Sequence, residues 1–114
     1  MTDCIFCKIV AREIASTEVA SSERTLAFRD VKPALPTHVL VVPREHIQSA
    51  DTVTPEHAAT LAEMFATAQD VARREGLADR GYRLVFNVGD DALNSVPHLH
   101  MHLVGGRRME WPPG

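Results

Sequence analysis

Three histidines, His98, His100 and His102, alternate with Leu99, Met101 and Leu103 in a run that closes on Val104. Strict alternation predicts a half-buried β-strand over 98–104, with the imidazoles in one row and the apolar residues packed behind them. Same-face neighbours on a strand stand about 6.5–7 Å apart, so all three rings could address one small ligand. Such a row supports two kinds of chemistry. One is metal binding, because two histidines one residue apart on a strand point at one ion. The other is nucleophilic catalysis. Neutral imidazole is available near neutral pH, attacks phosphorus and leaves it again, so one displacement is divided into two. Neighbouring rings can hold phosphoryl oxygens and carry the leaving group's proton.

These rings need elements to position them. Asp3 is a candidate N-cap for a short helix from Cys4 to Arg12, with Ile5, Phe6 and Ile9 on its apolar side. Val19 to Ser21 and Leu26 to Phe28 read as short strands on either side of a polar Ser22-Glu23-Arg24 turn. Pro33 and Pro36 exclude a helix between Asp30 and Thr37. The run Val39-Leu40-Val41-Val42, stopped by Pro43, predicts a strand buried on both faces. Thr54 as N-cap, Pro55 at the first helical position, Glu56 near the positive end and Gly76 as C-terminal cap bracket a long helix. Its Leu61, Met64, Phe65, Ala68, Val71 and Ala72 recur at three- and four-residue spacing, so Met64 and Phe65 are expected to face the core. Tyr82 to Val88 is a further strand, and 89–97 is a loop into the histidine strand. Short connections favour antiparallel pairing. The expected fold is α+β, an antiparallel sheet with one long and one short helix on one side.

Composition narrows the partners. At 114 residues the chain is one domain, 1–114, and its 45% hydrophobic and 24% charged residues place it among soluble globular proteins. A net charge of −3 with no dense basic run argues against binding a nucleic acid polymer. No stretch approaches the ~20 apolar residues of a membrane span, and the N-terminus does not read as a secretory signal. The only cysteines, Cys4 and Cys7, stand too close to staple a secreted fold, so a cytoplasmic location is expected. On its own the Cys4-x-x-Cys7 pair reads as a redox pair, half a metal site or two small apolar residues. No strand precedes it, which speaks against a thioredoxin-like site.

Further motifs accompany the histidine run: Cys4-Ile5-Phe6-Cys7-Lys8-Ile9, Glu13-Ile14, Leu26-Ala27-Phe28-Arg29-Asp30, Ala34 through Pro43, His46-Ile47, Asn87-Val88-Gly89 and Ser95-Val96. The tail runs from Gly105 to Gly114 through Trp111-Pro112-Pro113. With these the chain resembles the histidine triad (HIT) family nearly end to end, and within it the histidine triad nucleotide-binding (Hint) branch. The resemblance implies a five-stranded antiparallel sheet extended across a homodimer. It also implies hydrolysis of purine nucleoside phosphoramidates, an adenosine or guanosine monophosphate joined to an amine, with no catalytic cofactor.

The same resemblance implies roles for individual residues. His100 would be the nucleophile, forming a nucleotidyl-imidazole, with its ring held by a backbone carbonyl. His102 would contact the phosphate oxygens, with His98 completing the triad. Ser95 would assist departure of the amine, and His38 would be a proton-relay partner. Asp30 would accept hydrogen bonds from the ribose hydroxyls, as a carboxylate can from two vicinal donors. Ile5, Phe6, Ile9, Ile14, Phe28 and Val31 would form the purine slot. Asn87, Gly89, Leu93, Asn94, Ser95 and Val96 would contact the α-phosphate and leaving group. Trp111, in a stiff apolar tail that must be buried against something, would reach the partner subunit's site. Some bacterial relatives hold a structural zinc at the positions of Cys4, Cys7, His46 and His98, a closed Cys2His2 set.

This chain departs from the family pattern at Ala15, at Ala92-Leu93-Asn94, at Pro97 and at Glu110, which bears on leaving-group preference. Two rivals remain: a nucleotide-binding sensor or scaffold with incidental hydrolysis, and a metallohydrolase using the triad as an open zinc site.

Overall fold

The β-branched run after Thr37 becomes the middle of the sheet. In the computed structural model, which describes residues 3–114, the chain runs α1 (Ile5–Val10), β1 (Glu18–Ser21), β2 (Thr25–Arg29), β3 (Thr37–Pro43), α2 (Ala58–Arg74), β4 (Tyr82–Val85) and β5 (Met101–Gly105). The strands form one five-stranded sheet in the order β1-β2-β3-β5-β4, every neighbouring pair antiparallel. The expected architecture, with one long and one short helix, is therefore observed.

Register decides which side chains meet. Phe28 stands opposite Leu40, and Leu40 opposite His102, while Ala27, Val41 and Met101 form the adjacent row. Because side chains alternate along a strand, these two rows face opposite ways. The second row packs on α2, where Met64, Ala68, Val71 and Ala72 meet Val39, Val41, Met101 and Leu103 in one buried cluster. The first row packs on α1, where Phe6 and Ile9 join Leu26, Phe28, Leu40 and Val42 in a second cluster. The helices thus cover opposite faces, not one side as expected. The both-faces burial of Val39–Val42 requires it, since each fully buried aliphatic side chain gains about 1.5–3 kcal/mol only if something covers it.

Other expectations shift by local chemistry. Cys4 replaces Asp3 as the N-cap of α1, its Sγ accepting the Cys7 amide N–H at 3.3 Å. The helix stops at Val10, and Arg12 takes the left-handed region at φ 61°. Ahead of α2, Pro55–His57 forms a short 3-10 turn, with the Thr54 N–H donating to His57 Nδ1 at 3.0 Å. At its far end Gly76, with φ +75°, lets the Leu77 N–H reach the Ala72 carbonyl at 2.8 Å. Met64 is fully buried, but Phe65 is 43% exposed, because the core-facing stripe of α2 passes through Met64, Ala68 and Val71.

The largest departure lies at the histidines. β4 ends at Val85 rather than Val88, and β5 begins at Met101 rather than His98. Extending the β3–β5 ladder one pair past His100 would set Leu99 opposite Pro43, which has no N–H to give. The local backbone bonds elsewhere instead: the His98 N–H to the Val96 carbonyl at 2.9 Å, the Leu99 N–H to the Ile47 carbonyl at 2.6 Å. In the tail, Trp111 is 81% exposed within the single chain, with the Arg83 guanidinium 5.9 Å over its ring.

Candidate active site

His102 on β5 and His38 on β3 come together because Leu40 opposite His102 sets His38 diagonally across from it. Their rings meet through His38 Nε2 and His102 Nδ1 at 2.8 Å. The Ala34 amide N–H donates to His38 Nδ1 at 3.0 Å, so that nitrogen carries no proton. Neutral His38 therefore holds its proton on Nε2 and donates it to His102 Nδ1, which leaves the proton of neutral His102 on Nε2. A backbone amide at one end thereby makes His102 a donor at the other.

His100 takes the opposite polarity. Its Nδ1 lies 2.8 Å from the His98 carbonyl, which can only accept, so Nδ1 carries the proton and Nε2 keeps the lone pair. The His100 and His102 rings stand 5.0 Å apart, centroid to centroid. An electron-pair donor and a proton donor thus sit side by side. Burial, with the nearby His100 and His38 rings, pushes His102 down to about 4 against the pull of Asp30, so it is neutral at neutral pH.

Both rings line a cavity of about 570 Å3 that is walled by Ile5, Phe6, Ile9, Phe28 and Leu40 on its apolar side. Asp30, Val31, Ser95 and Val96 also line it. Phe6 fixes the floor edge-on to His100, with ring centroids 5.1 Å apart. The Asp30 Oδ1 accepts the Lys32 N–H at 2.8 Å, and its Oδ2 is 3.4 Å from His38 Nε2. Among the described residues the one lysine or arginine lining it, Arg29, is held by Glu75 through bonds of 2.9 and 3.1 Å.

His98 does not line this cavity. It is fully buried, and its Nε2–H donates to the Pro43 carbonyl at 2.9 Å. That bond turns the Nδ1 lone pair toward Cys4 Sγ at 3.2 Å, Cys7 Sγ at 3.5 Å and His46 Nδ1 at 3.2 Å. Cys7 Sγ is in turn 3.3 Å from His46 Nδ1, and the four donor atoms all lie within 4.8 Å of one another. A tetrahedral zinc needs ligand edges of about 3.3 Å between nitrogens and about 3.6 Å between nitrogen and sulfur. The set fits, and the Pro43 carbonyl supplies the outer hydrogen bond that orients a ligating imidazole. Burial also lowers the His98 pKa, against the Pro43 bond, favouring the neutral ring a metal requires.

The histidine row thus divides. His100, His102 and His38 serve the cavity, and His98 serves the Cys4, Cys7 and His46 cluster. Of the residues expected in the purine slot, Ile5, Phe6, Ile9, Phe28 and Val31 line the cavity, whereas Ile14 does not. Asn87, Gly89, Leu93, Asn94 and Trp111 do not line it either. Sequence reasoning missed Leu40 and the Ala34 amide. Leu40 was within reach, since it alternates with His38 on β3. A backbone donor has no side-chain signal. The lining residues Ala15, Ser16 and Thr17 carry none either.

Known proteins share this arrangement of sequence and fold. The HIT domain family model matches residues 11–109. A 14 kDa zinc-binding protein of Brassica juncea is 44% identical over 114 residues, covering 98% of this chain and all (100%) of its own. Adenylylsulfatase HINT1 of Arabidopsis thaliana is 44% identical over 112 residues, 96% of this chain and 76% of that protein. Purine nucleoside phosphoramidase of Escherichia coli is 42% identical over 105 residues, 92% of this chain and 88% of that one. Among solved structures, a HIT family hydrolase from Legionella pneumophila superposes with a TM-score of 0.96 at 46% identity, covering 98% of this chain and 100% of its own. No helix among the described residues is long and apolar enough to cross a membrane.

Proposed function

This chain belongs to the HIT domain family, and from that premise we propose that it hydrolyses purine nucleoside phosphoramidates through a nucleotidyl intermediate on His100. The observation that carries the reading is the opposed polarity of the two cavity rings, His100 with its lone pair on Nε2 and His102 with its proton there. His100 Nε2 attacks phosphorus while the His102 Nε2–H holds a non-bridging oxygen as charge develops on it. The P–N bond breaks with its electron pair going to nitrogen, and Ser95 relays to the departing amine a proton drawn from solvent water, which the proton freed in the later attack of water on phosphorus replaces. Water then attacks phosphorus, the Nε2–P bond breaks, and the mononucleotide leaves.

The purine lies against Ile5, Phe6, Ile9, Phe28 and Val31, and the ribose hydroxyls donate to Asp30. Val96 contacts the phosphate, while Asn87, Gly89, Leu93 and Asn94, outside the cavity lining, meet only a leaving group that extends beyond it. An amine suits the site better than an anionic leaving group, because the lining cation Arg29 is already held by Glu75. The edge position of β4 and the exposure of Trp111 support a homodimer, with the sheet continuing across it and Trp111 reaching the partner's cavity. Zinc held by Cys4, Cys7, His46 and His98 would tie α1 to the segments after β3 and before β5, leaving the chemistry at phosphorus to the imidazoles.

The test is a substrate panel of adenosine and guanosine phosphoramidates and adenosine phosphosulfate, with metal quantified and the protein quenched in alkaline denaturant for mass spectrometry, since a P–N bond to imidazole hydrolyses in acid. A nucleotidyl adduct on wild type and its loss in His100→Ala are expected. Tight mononucleotide binding with no turnover on any substrate would instead favour a sensor or scaffold.

A further inference from the structure

We infer that the Cys4, Cys7, His46 and His98 cluster positions the His100 nucleophile, acting through the backbone of His98, in addition to holding the chain together. The inference rests on the reading of His100 given above.

Four observations meet at one residue. The His98 carbonyl is the acceptor that fixes the His100 ring, at 2.8 Å from Nδ1. That carbonyl lies outside the sheet, since β5 begins only at Met101. No ladder bond therefore sets its direction. Two groups anchored at the cluster do so instead: the Leu99 N–H of the same planar peptide, held at 2.6 Å by the carbonyl of Ile47 next to His46, and the His98 side chain, fully buried and gripped at both nitrogens, Nε2 by the Pro43 carbonyl and Nδ1 by the cluster. Two of the cluster residues, Cys4 and Cys7, stand at the start of α1, whose Phe6 also touches the His98 and His100 rings, with centroids 5.9 and 5.1 Å apart.

A ring that loses its carbonyl acceptor is free to change tautomer and to rotate about its side-chain bonds. Neutral imidazole free in water favours the proton on Nε2, which would remove the lone pair from the attacking atom. Slackening the cluster at His46 should therefore cost turnover before it costs binding, because His46 follows β3, away from Ile5, Phe6 and Ile9 of α1 against which the purine is placed. Cys4, Cys7 and His46 are thus positioning residues.

The experiment compares wild type with His46→Ala, Cys7→Ser and the ligand-conserving His46→Cys, each loaded with zinc and assayed well below its own melting temperature. Val71→Ala, on the α2 face, serves as a destabilised control. Steady-state kinetics on an adenosine phosphoramidate and 15N spectra of the His100 ring are recorded for all. His46→Ala and Cys7→Ser should each lose at least about tenfold in kcat, the usual scale for outer contacts to a reacting group, and His46→Ala, whose segment carries no purine contact, should keep KM within about twofold. Their His100 spectra should move from the Nδ1-protonated form toward a mixture. His46→Cys should restore both readouts, and Val71→Ala should lower the melting temperature with kcat and tautomer intact.

Folded ligand variants with unchanged kcat and a single Nδ1-protonated His100 would overturn the inference. So would failure of both to fold, since the cluster would then secure the whole chain and nothing more specific. The spectra need no substrate, so a wild type inactive on phosphoramidates would overturn the functional reading while this one was still decided.

Discussion

The two faces of the sheet are made by the same strands and do different things. On the α2 side, Val39, Val41, Met101 and Leu103 meet Met64, Ala68 and Val71 with essentially no exposure. On the α1 side the alternate residues, His38, Leu40 and His102, lie under a helix of six residues that covers only part of the surface. What α1 leaves uncovered is the cavity. A strand therefore carries two messages at period two, and the length of the helix over each face decides whether that face becomes core or site.

This contrast predicts that stability and activity separate by face. The largest effect is expected from His100→Ala, which should reduce kcat by about a thousandfold or more, as loss of a nucleophile does, with little change in melting temperature. Met64→Ala is the mirror case. It should cost roughly 2–5 kcal/mol on denaturant titration and leave kcat below the transition unchanged. A large activity loss from Met64→Ala in folded protein would erase the distinction between the faces.

Acid should also find the histidine face first. His102 titrates near 4 in the folded chain against an ordinary 6.5. Below about 6.5 the unfolded chain therefore takes up a proton that the native ring refuses, and stability falls as pH drops from there through about 4. Above 6.5 this residue contributes no pH dependence. His102→Gln should flatten that part of the denaturation profile. The smallest effect is expected from Phe65→Ala. With Phe65 nearly half exposed, it should cost under about 1 kcal/mol by thermal melting.

The sequence carried the face assignments better than the element ends. Period-two alternation at 98–104 marked the histidine row, and the Val39–Val42 run marked a strand covered twice. The same run implied a helix on each side, a consequence that the antiparallel reading did not draw. The start of β5 was hidden because it depends on Pro43, a residue 58 positions from Met101 in the sequence and a neighbour only in the folded sheet. Helical spacing admitted both Met64 and Phe65 to the core, since neighbours 100° apart both fit a broad apolar stripe. Periodicity could not show that His98 turns away from His100. That division follows from Cys4, 94 residues upstream, and reached the sequence reading only through family resemblance.

One backbone group described above limits how the site can handle acid. The Ala34 amide occupies His38 Nδ1, so the lone pair of that nitrogen is already engaged. His38 thus orients the His102 ring through its Nε2–H, with no second nitrogen through which a proton could enter.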